Sequence, residues 1–248
     1  MVLGGKLRGL AMRKVLAIVA LVAGSLWVGA APAYAVDVVL FEWIFNIDGT
    51  ISDSLLGDPV PPGVSDAGFN YSTGLGTLTV SVSGAGSHVV GLFLDHEIDE
   101  TDPGGFTNEY GEAVNVGSKP AGLSWEIDEP EYVFGDIYTN FTAGTLDDSN
   151  GVPSSSPDDV SMALLWNFLL AAGETATLTF TVTDVAPLSG FYLSQTDPDS
   201  PYAIYMTGGL GITGGPVGVP EPTSLIILAA GLAGLAAASL RSRSSRRR

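Results

Sequence analysis

Along most of the chain, apolar and polar positions alternate every second residue. TLTVSVSG (77–84) sets Leu78, Val80 and Val82 against Thr and Ser. LSWEID (123–128) sets Leu123, Trp125 and Ile127 against polar neighbours, and ATLTFTVTD (176–184) sets Leu178, Phe180 and Val182 against threonines. A period of two belongs to strands with one face on a core. VVLFEWIFNID (38–48) and HVVGLFLDHEI (88–98) are more uniformly apolar, which suits strands covered on both faces. MALLWNFLLAAGETATLTFTV predicts a hairpin turning at AAGET between Leu170 and Thr177, while FYLSQ (191–195) and YAIYMTG (202–208) predict two late strands. No segment sustains a helical period, although YVFGDIYTNF (132–141) has room for one helical turn.

Gly and Pro punctuate these runs. GDPVPPGVSDAG (57–68), TDPGG (101–105), DDSNGVPSSSPDD (147–159) and TDPDSP (196–201) have loop chemistry, and GGLGITGGPVGVP (208–220) reads as a flexible linker. No repeat of fixed period occurs. The pattern predicts an all-β body, an antiparallel β-sandwich of about eight to ten strands, jelly-roll or immunoglobulin-like in kind. A signal helix precedes it and a transmembrane helix follows it.

Both ends depart from alternation. A basic stretch ending at Arg13 and Lys14 leads into VLAIVALVAGSLWVGA (15–30), and APAYA then places small residues at Ala33 and Ala35. This is the form of a secretory signal peptide cut by signal peptidase after Ala35. Met12 opens an n-region of ordinary length, so the expected start is Met12, with residues 1–11 an extension. At the other end, residues 224–240 form an apolar run that as a helix would span about 25 Å. Arg241, Arg243, Arg246, Arg247 and Arg248 follow, half of all the Lys and Arg in the chain. By the positive-inside rule such a cluster stops transfer of an exported chain and holds its end in the cytoplasm. The expected organisation is a signal peptide (1–35), a β-sandwich domain (36–207), a Gly/Pro linker (208–218) and a sorting tail (219–248).

The tail carries Val219, Pro220, Glu221 and Pro222, then the apolar run, then the arginines. This tripartite arrangement resembles the PEP-CTERM sorting signal, over the last eighth of the chain. The resemblance implies recognition and cleavage by an exosortase, a membrane-embedded cysteine protease-transpeptidase. It also implies a transient membrane-anchored precursor and a Gram-negative producer of exopolysaccharide, which makes that polymer a candidate partner. Its mature form would stand at the cell surface or in the extracellular matrix.

Charge narrows the choice of partners for the body. All 27 acidic residues lie between Asp37 and Glu221, where Lys119 is the one base, and 27 carboxylates against one lysine leave −26. Such a body repels nucleic acid and suits cations or neutral partners. Cysteine is absent, which excludes disulfides, thiolate metal sites and a Cys nucleophile.

The densest polar cluster is DHEIDETDPGG (95–105). A continued strand from Val89 would put Asp95, Glu97 and Asp99 on one face and Leu92, Leu94 and Ile98 on the other, and three carboxylates in series invite a hard cation such as Ca2+. The spacing is not an EF-hand, because Glu100 stands where its Gly is required and Phe106 where its closing Glu belongs. Glu109 or Glu112 would complete such a site. His96 shares the parity of Leu92 and Leu94 and is expected to pack at the core edge, and neither His88 nor His96 lies in a zinc spacing. Trp43, Trp125 and Trp166, with Tyr132 and Tyr138, have the composition of a sugar-stacking platform, but all three Trp sit in apolar strands where core packing is the expectation. No catalytic motif is present. The expected function is that of an exported non-enzymatic surface or matrix protein without a cofactor; the alternative is a secreted carbohydrate- or calcium-binding module.

Overall fold

The computed structural model describes residues 38–99 and 105–215, with Ile227 and Leu232 beyond them. The chain divides into two units, Met1–Val36 and Asp37–Arg248, and the described residues belong to the second. The expected signal segment with Ala33 and Ala35, residues 100–104 and nearly all of the tail lie outside the described residues. Among those described, no helix is long and apolar enough to cross a membrane.

Twelve strands form two six-stranded sheets among the described residues. The first sheet runs in the order β2 (Thr50–Asp53), β1 (Val38–Ile47), β5 (Gly86–Ile98), β9 (Ser161–Leu170), β7 (Leu123–Asp128) and β8 (Ser149–Asn150). The second runs β3 (Val64–Asn70), β4 (Leu75–Ser83), β10 (Glu174–Thr183), β12 (Ala203–Gly214), β11 (Tyr192–Thr196) and β6 (Tyr110–Val114). Every neighbouring pair is antiparallel except β7 and β8.

Alternation built these strands as the physics of the pleat requires. Leu78, Val80, Leu178 and Phe180 of the second sheet are buried in the same apolar cluster as Leu92, Leu94, Leu164 and Trp166 of the first. Each set occupies one parity of its strand. The outer face of the first sheet carries a second, smaller cluster. There Ile44, Phe93, Ala163 and Leu165 pack beneath a short α-helix, α1 (Ile137–Ala143), through its Ile137 and Phe141. This explains why β1, β5 and β9 are apolar on both parities. Gly91 makes room for the helix, since a Cβ there would stand 2.7 Å from the Phe141 ring. Helix α1 ends at Gly144, whose φ of 74° is the left-handed conformation glycine adopts without a Cβ penalty.

Two sequence expectations are corrected here. The predicted hairpin around AAGET does not pair with itself: β9 lies between β5 and β7 in one sheet, and β10 lies between β4 and β12 in the other. The turn carries the chain across the core, so Leu164 and Leu178 belong to opposing faces of the same core. The predicted linker from residue 208 is strand as far as Gly214, paired with β10 from Gly208↔Phe180 to Gly214↔Glu174. Gly208 serves a close approach, because a Cβ there would stand 3.2 Å from Leu164 and 3.3 Å from Trp166 Nε1. Two predicted loops also contain strand: β3 begins at Val64 and β8 occupies Ser149–Asn150.

Candidate functional site

The polar chemistry of the body gathers on the outer face of the first sheet, at the end away from α1's apolar contacts. A bulge in β1 between Leu40 and Glu42 starts it. Before the bulge Val38 and Leu40 face the core; after it Phe45 does, with Trp43 and Ile47 packed alongside. The change of parity leaves Phe41 and Glu42 both directed away from the core, a re-aiming that bulges commonly perform beside sites.

Register then lines up a polar row. Glu42 of β1 lies opposite Asp95 of β5, Asp95 opposite Ser161 of β9, and Ser161 opposite Asp128 of β7. Like charges directly opposite one another in a sheet repel. Burial compounds the effect, since Glu42, Asp95 and Ser161 are all buried. Glu42 is raised to about 7, first by desolvation, with the Tyr132 hydroxyl holding it down by a 2.8 Å bond to Oε2. Asp95 is raised well above the ordinary carboxylate range by burial, then by the charges of Asp159 and Glu42, while Ser161 acts the other way. Neither Asp95 oxygen has a hydrogen-bond partner, and the Ser161 hydroxyl has none either.

Above this row opens a cavity of about 650 Å³. Val39, Phe41, Pro130, Tyr132, Val133 and Phe134 give it apolar walls, and Glu97, Glu129, Asp158 and Asp159 give it an acidic side. Phe41 and Tyr132 meet edge to face at 6.2 Å, and Val133 and Phe134 are 78% and 65% exposed, an apolar surface that folding leaves uncovered.

The expected trio of Asp95, Glu97 and Asp99 is only partly assembled. Strand β5 ends at Ile98, and Asp99 follows in a left-handed conformation (φ 53°), which breaks the alternation that would have kept it on the shared face. The third carboxylate is Asp159, at the foot of β9: one oxygen each from Asp95, Glu97 and Asp159 lie within 4.8 Å of one another. Glu109 is buried but engaged elsewhere, accepting from the Ile98 N–H at 2.9 Å and from Gln195 Nε2. Desolvation raises it to about 8 against the pull of those two donors. Glu112 is exposed on β6 and takes no part.

A second trio, Glu126, Asp128 and Asp136, is as close-set but supplied with donors. Asn140 Nδ2 reaches Glu126 at 3.0 Å, and the Asp136 N–H reaches Asp128 at 2.9 Å. The body's single lysine is occupied too: Lys119 Nζ donates to Asp148 and to the Leu123 carbonyl, both at 2.6 Å.

The two histidines lie apart. His96 is fully buried on the core parity of β5, and desolvation lowers it to about 4. His88 bonds Asp48 at 2.8 Å, which raises it. Of the aromatics considered as a platform, Trp125 and Trp166 are core residues, and Trp43 is half-buried against Phe45 and Tyr71. Tyr138 is half-buried beside α1's core, and only Tyr132 lines the cavity. Sequence reading missed Phe41, Phe134 and Asp159; the bulge and a separation of 62 residues between Glu97 and Asp159 concealed them.

The body is thus an all-β, two-sheet domain with an acidic, aromatic-rimmed cavity. The model of the PEP-CTERM protein-sorting motif matches residues 218–243. The chain is therefore a PEP-CTERM domain-containing protein, and the match includes Val219, Pro220, Glu221, Pro222, Arg241 and Arg243. The motif implies export, a membrane-anchored precursor and processing by an exosortase. The chain matches no curated protein and no solved structure.

Proposed function

We propose that this is an exported, non-enzymatic protein of the cell surface or extracellular matrix of a Gram-negative, exopolysaccharide-producing bacterium. Signal peptidase removes residues 1–35. The apolar run 224–240 then holds the precursor in the inner membrane with Arg241, Arg243, Arg246, Arg247 and Arg248 in the cytoplasm. An exosortase cuts at the Val219–Pro222 motif and frees a β-sandwich body. The match at residues 218–243 carries this reading. The acidity of the body supports it, since 26 acidic residues against one lysine in residues 36–207 keep a released domain soluble and away from anionic surfaces. Mass spectrometry of the mature protein from its own cells tests it. Peptides should begin at Val36 and stop before Arg241, and a Glu221→Ala chain should accumulate in the membrane with its tail. Secreted protein that retains Arg241 onward would refute the processing step.

A second reading, a secreted carbohydrate-binding module, is favoured by the exposed aromatics Phe41, Tyr132 and Phe134 around the cavity. Aromatic faces stack on sugar rings, and a neutral glycan tolerates the acidic side. Glycan binding lost in Phe134→Ala supports this reading; an array without any bound glycan counts against it.

A further inference from the structure

We propose that Asp95, Glu97 and Asp159 hold a divalent cation, calcium by their chemistry, at the acidic side of the cavity beside the β1 bulge. The inference is independent of sorting and of glycan binding.

Proximity is the first observation: one carboxylate oxygen from each residue lies within 4.8 Å of the other two. Close-set carboxylates alone do not make a site, and the state of Asp95 supplies the second observation. Asp95 has no exposed surface, and neither of its oxygens has a hydrogen-bond partner. A buried carboxylate with no donor is costly, and native structures provide one. The neighbours of Asp95 in the sheet do not: Glu42 is itself an acid, already bonded by Tyr132, and the Ser161 hydroxyl, near enough to favour the Asp95 anion, does not reach hydrogen-bond geometry with it. No base within the body is available, because Lys119 is committed to Asp148 and Leu123. The missing positive charge therefore comes from solution. The second trio makes the contrast, since Glu126 and Asp128 have amide and backbone donors.

Ligand type selects the ion. The set is all oxygen, cysteine is absent, and His96 points to the opposite face of β5. Calcium takes six to eight oxygen ligands in flexible geometry, whereas magnesium demands a near-ideal octahedron. Three carboxylates fill part of a calcium sphere, and the cavity admits water to the rest.

Calcium titrated into the full-length chain by calorimetry tests the proposal, with magnesium, and with sodium at matched ionic strength, as comparisons. The expected result is one tight calcium per chain and a higher melting temperature with calcium than with either comparison. Asp159→Asn, at a half-buried position, should weaken binding about tenfold or more. Asp95→Asn should abolish binding, so that calcium no longer raises the melting temperature. Asp99→Asn and Asp136→Asn should leave affinity unchanged. No calcium bound at millimolar concentration, or affinity lost in Asp99→Asn or Asp136→Asn but kept in Asp159→Asn, overturns the proposal.

Discussion

The Tyr132 hydroxyl donates a 2.8 Å hydrogen bond to Glu42 Oε2, so an exposed ring at the rim of the cavity is fastened to a buried carboxylate beneath it. The bond opposes the desolvation that raises Glu42 to about 7. Tyr132→Phe keeps the edge-to-face contact with Phe41 and deletes the donor. The Glu42 titration midpoint, followed by carboxyl carbon NMR, should move above 7. A midpoint that stays or falls would show that the hydroxyl does not stabilise the anion.

Stability should decline as the solution becomes alkaline. Glu109 titrates near 8 when folded, against 4.5 ordinarily. Between those values the native state keeps a proton that the unfolded chain has released. Its contribution is therefore fully present below about 4.5 and lost as pH rises through 8. His96 works in reverse: lowered to about 4 from 6.5, it withdraws stability as pH falls through that interval. Urea midpoints should consequently drop from pH 6.5 to 8.5, and Glu109→Gln should show a smaller drop. Parallel declines in the two proteins would contradict the assignment to Glu109.

Gly74 and His96 interlock. A Cβ on Gly74, at φ 66°, would stand 1.9 Å from His96 Nε2, whereas one on Gly49, at φ 80°, meets nothing within 4 Å. Gly49→Ala should therefore cost only the backbone strain, about 1–2 kcal/mol. Gly74→Ala adds the displacement of a fully buried imidazole and should cost more, by about 1–3 kcal/mol. Denaturant unfolding compares them, and His96→Ala in the Gly74→Ala background should recover part of the difference. Equal losses at the two glycines would remove the steric argument.

Asn46 joins β1 to the end of α1. Its Nδ2 donates to the Phe141 carbonyl at 2.8 Å, and the residue is buried. Asn46→Ala removes that bond and the one its Oδ1 accepts from the Gly49 N–H at 3.0 Å, leaving the Phe141 carbonyl only the Gly144 N–H, and should destabilise the protein by about 1–3 kcal/mol. Hydrogen exchange of the α1 amides should quicken more than that of β10; uniform change would mean the helix has no special dependence on Asn46.

Strand positions in the core were legible because burial writes a period of two into Leu78, Val80, Val82 and into Leu178, Phe180, Val182. Partnership was not. Alternation is the same whether β9 and β10 bond edge to edge or face each other across a core, so the AAGET turn looked like a hairpin. Glycine content was equally ambiguous: the Gly-rich residues 208–214 are a paired strand, and Gly208 there signals close packing against Leu164 and Trp166. The cavity depended on two things no local pattern carries, a bulge that turns Phe41 outward and the meeting of Asp159 with Asp95. The sorting motif at residues 218–243 was readable because its signal is local, a short motif followed by apolar and basic blocks.

β12 is bonded to β10 along ten paired positions and to β11 over Ala203–Met206, and it stops four positions short of the matched tail. Tension on a tethered precursor would enter the body along this strand. A pull along its axis loads many ladder bonds together in shear, instead of unzipping them one at a time. Drag on the exposed body can then be borne by the tether without peeling the fold open.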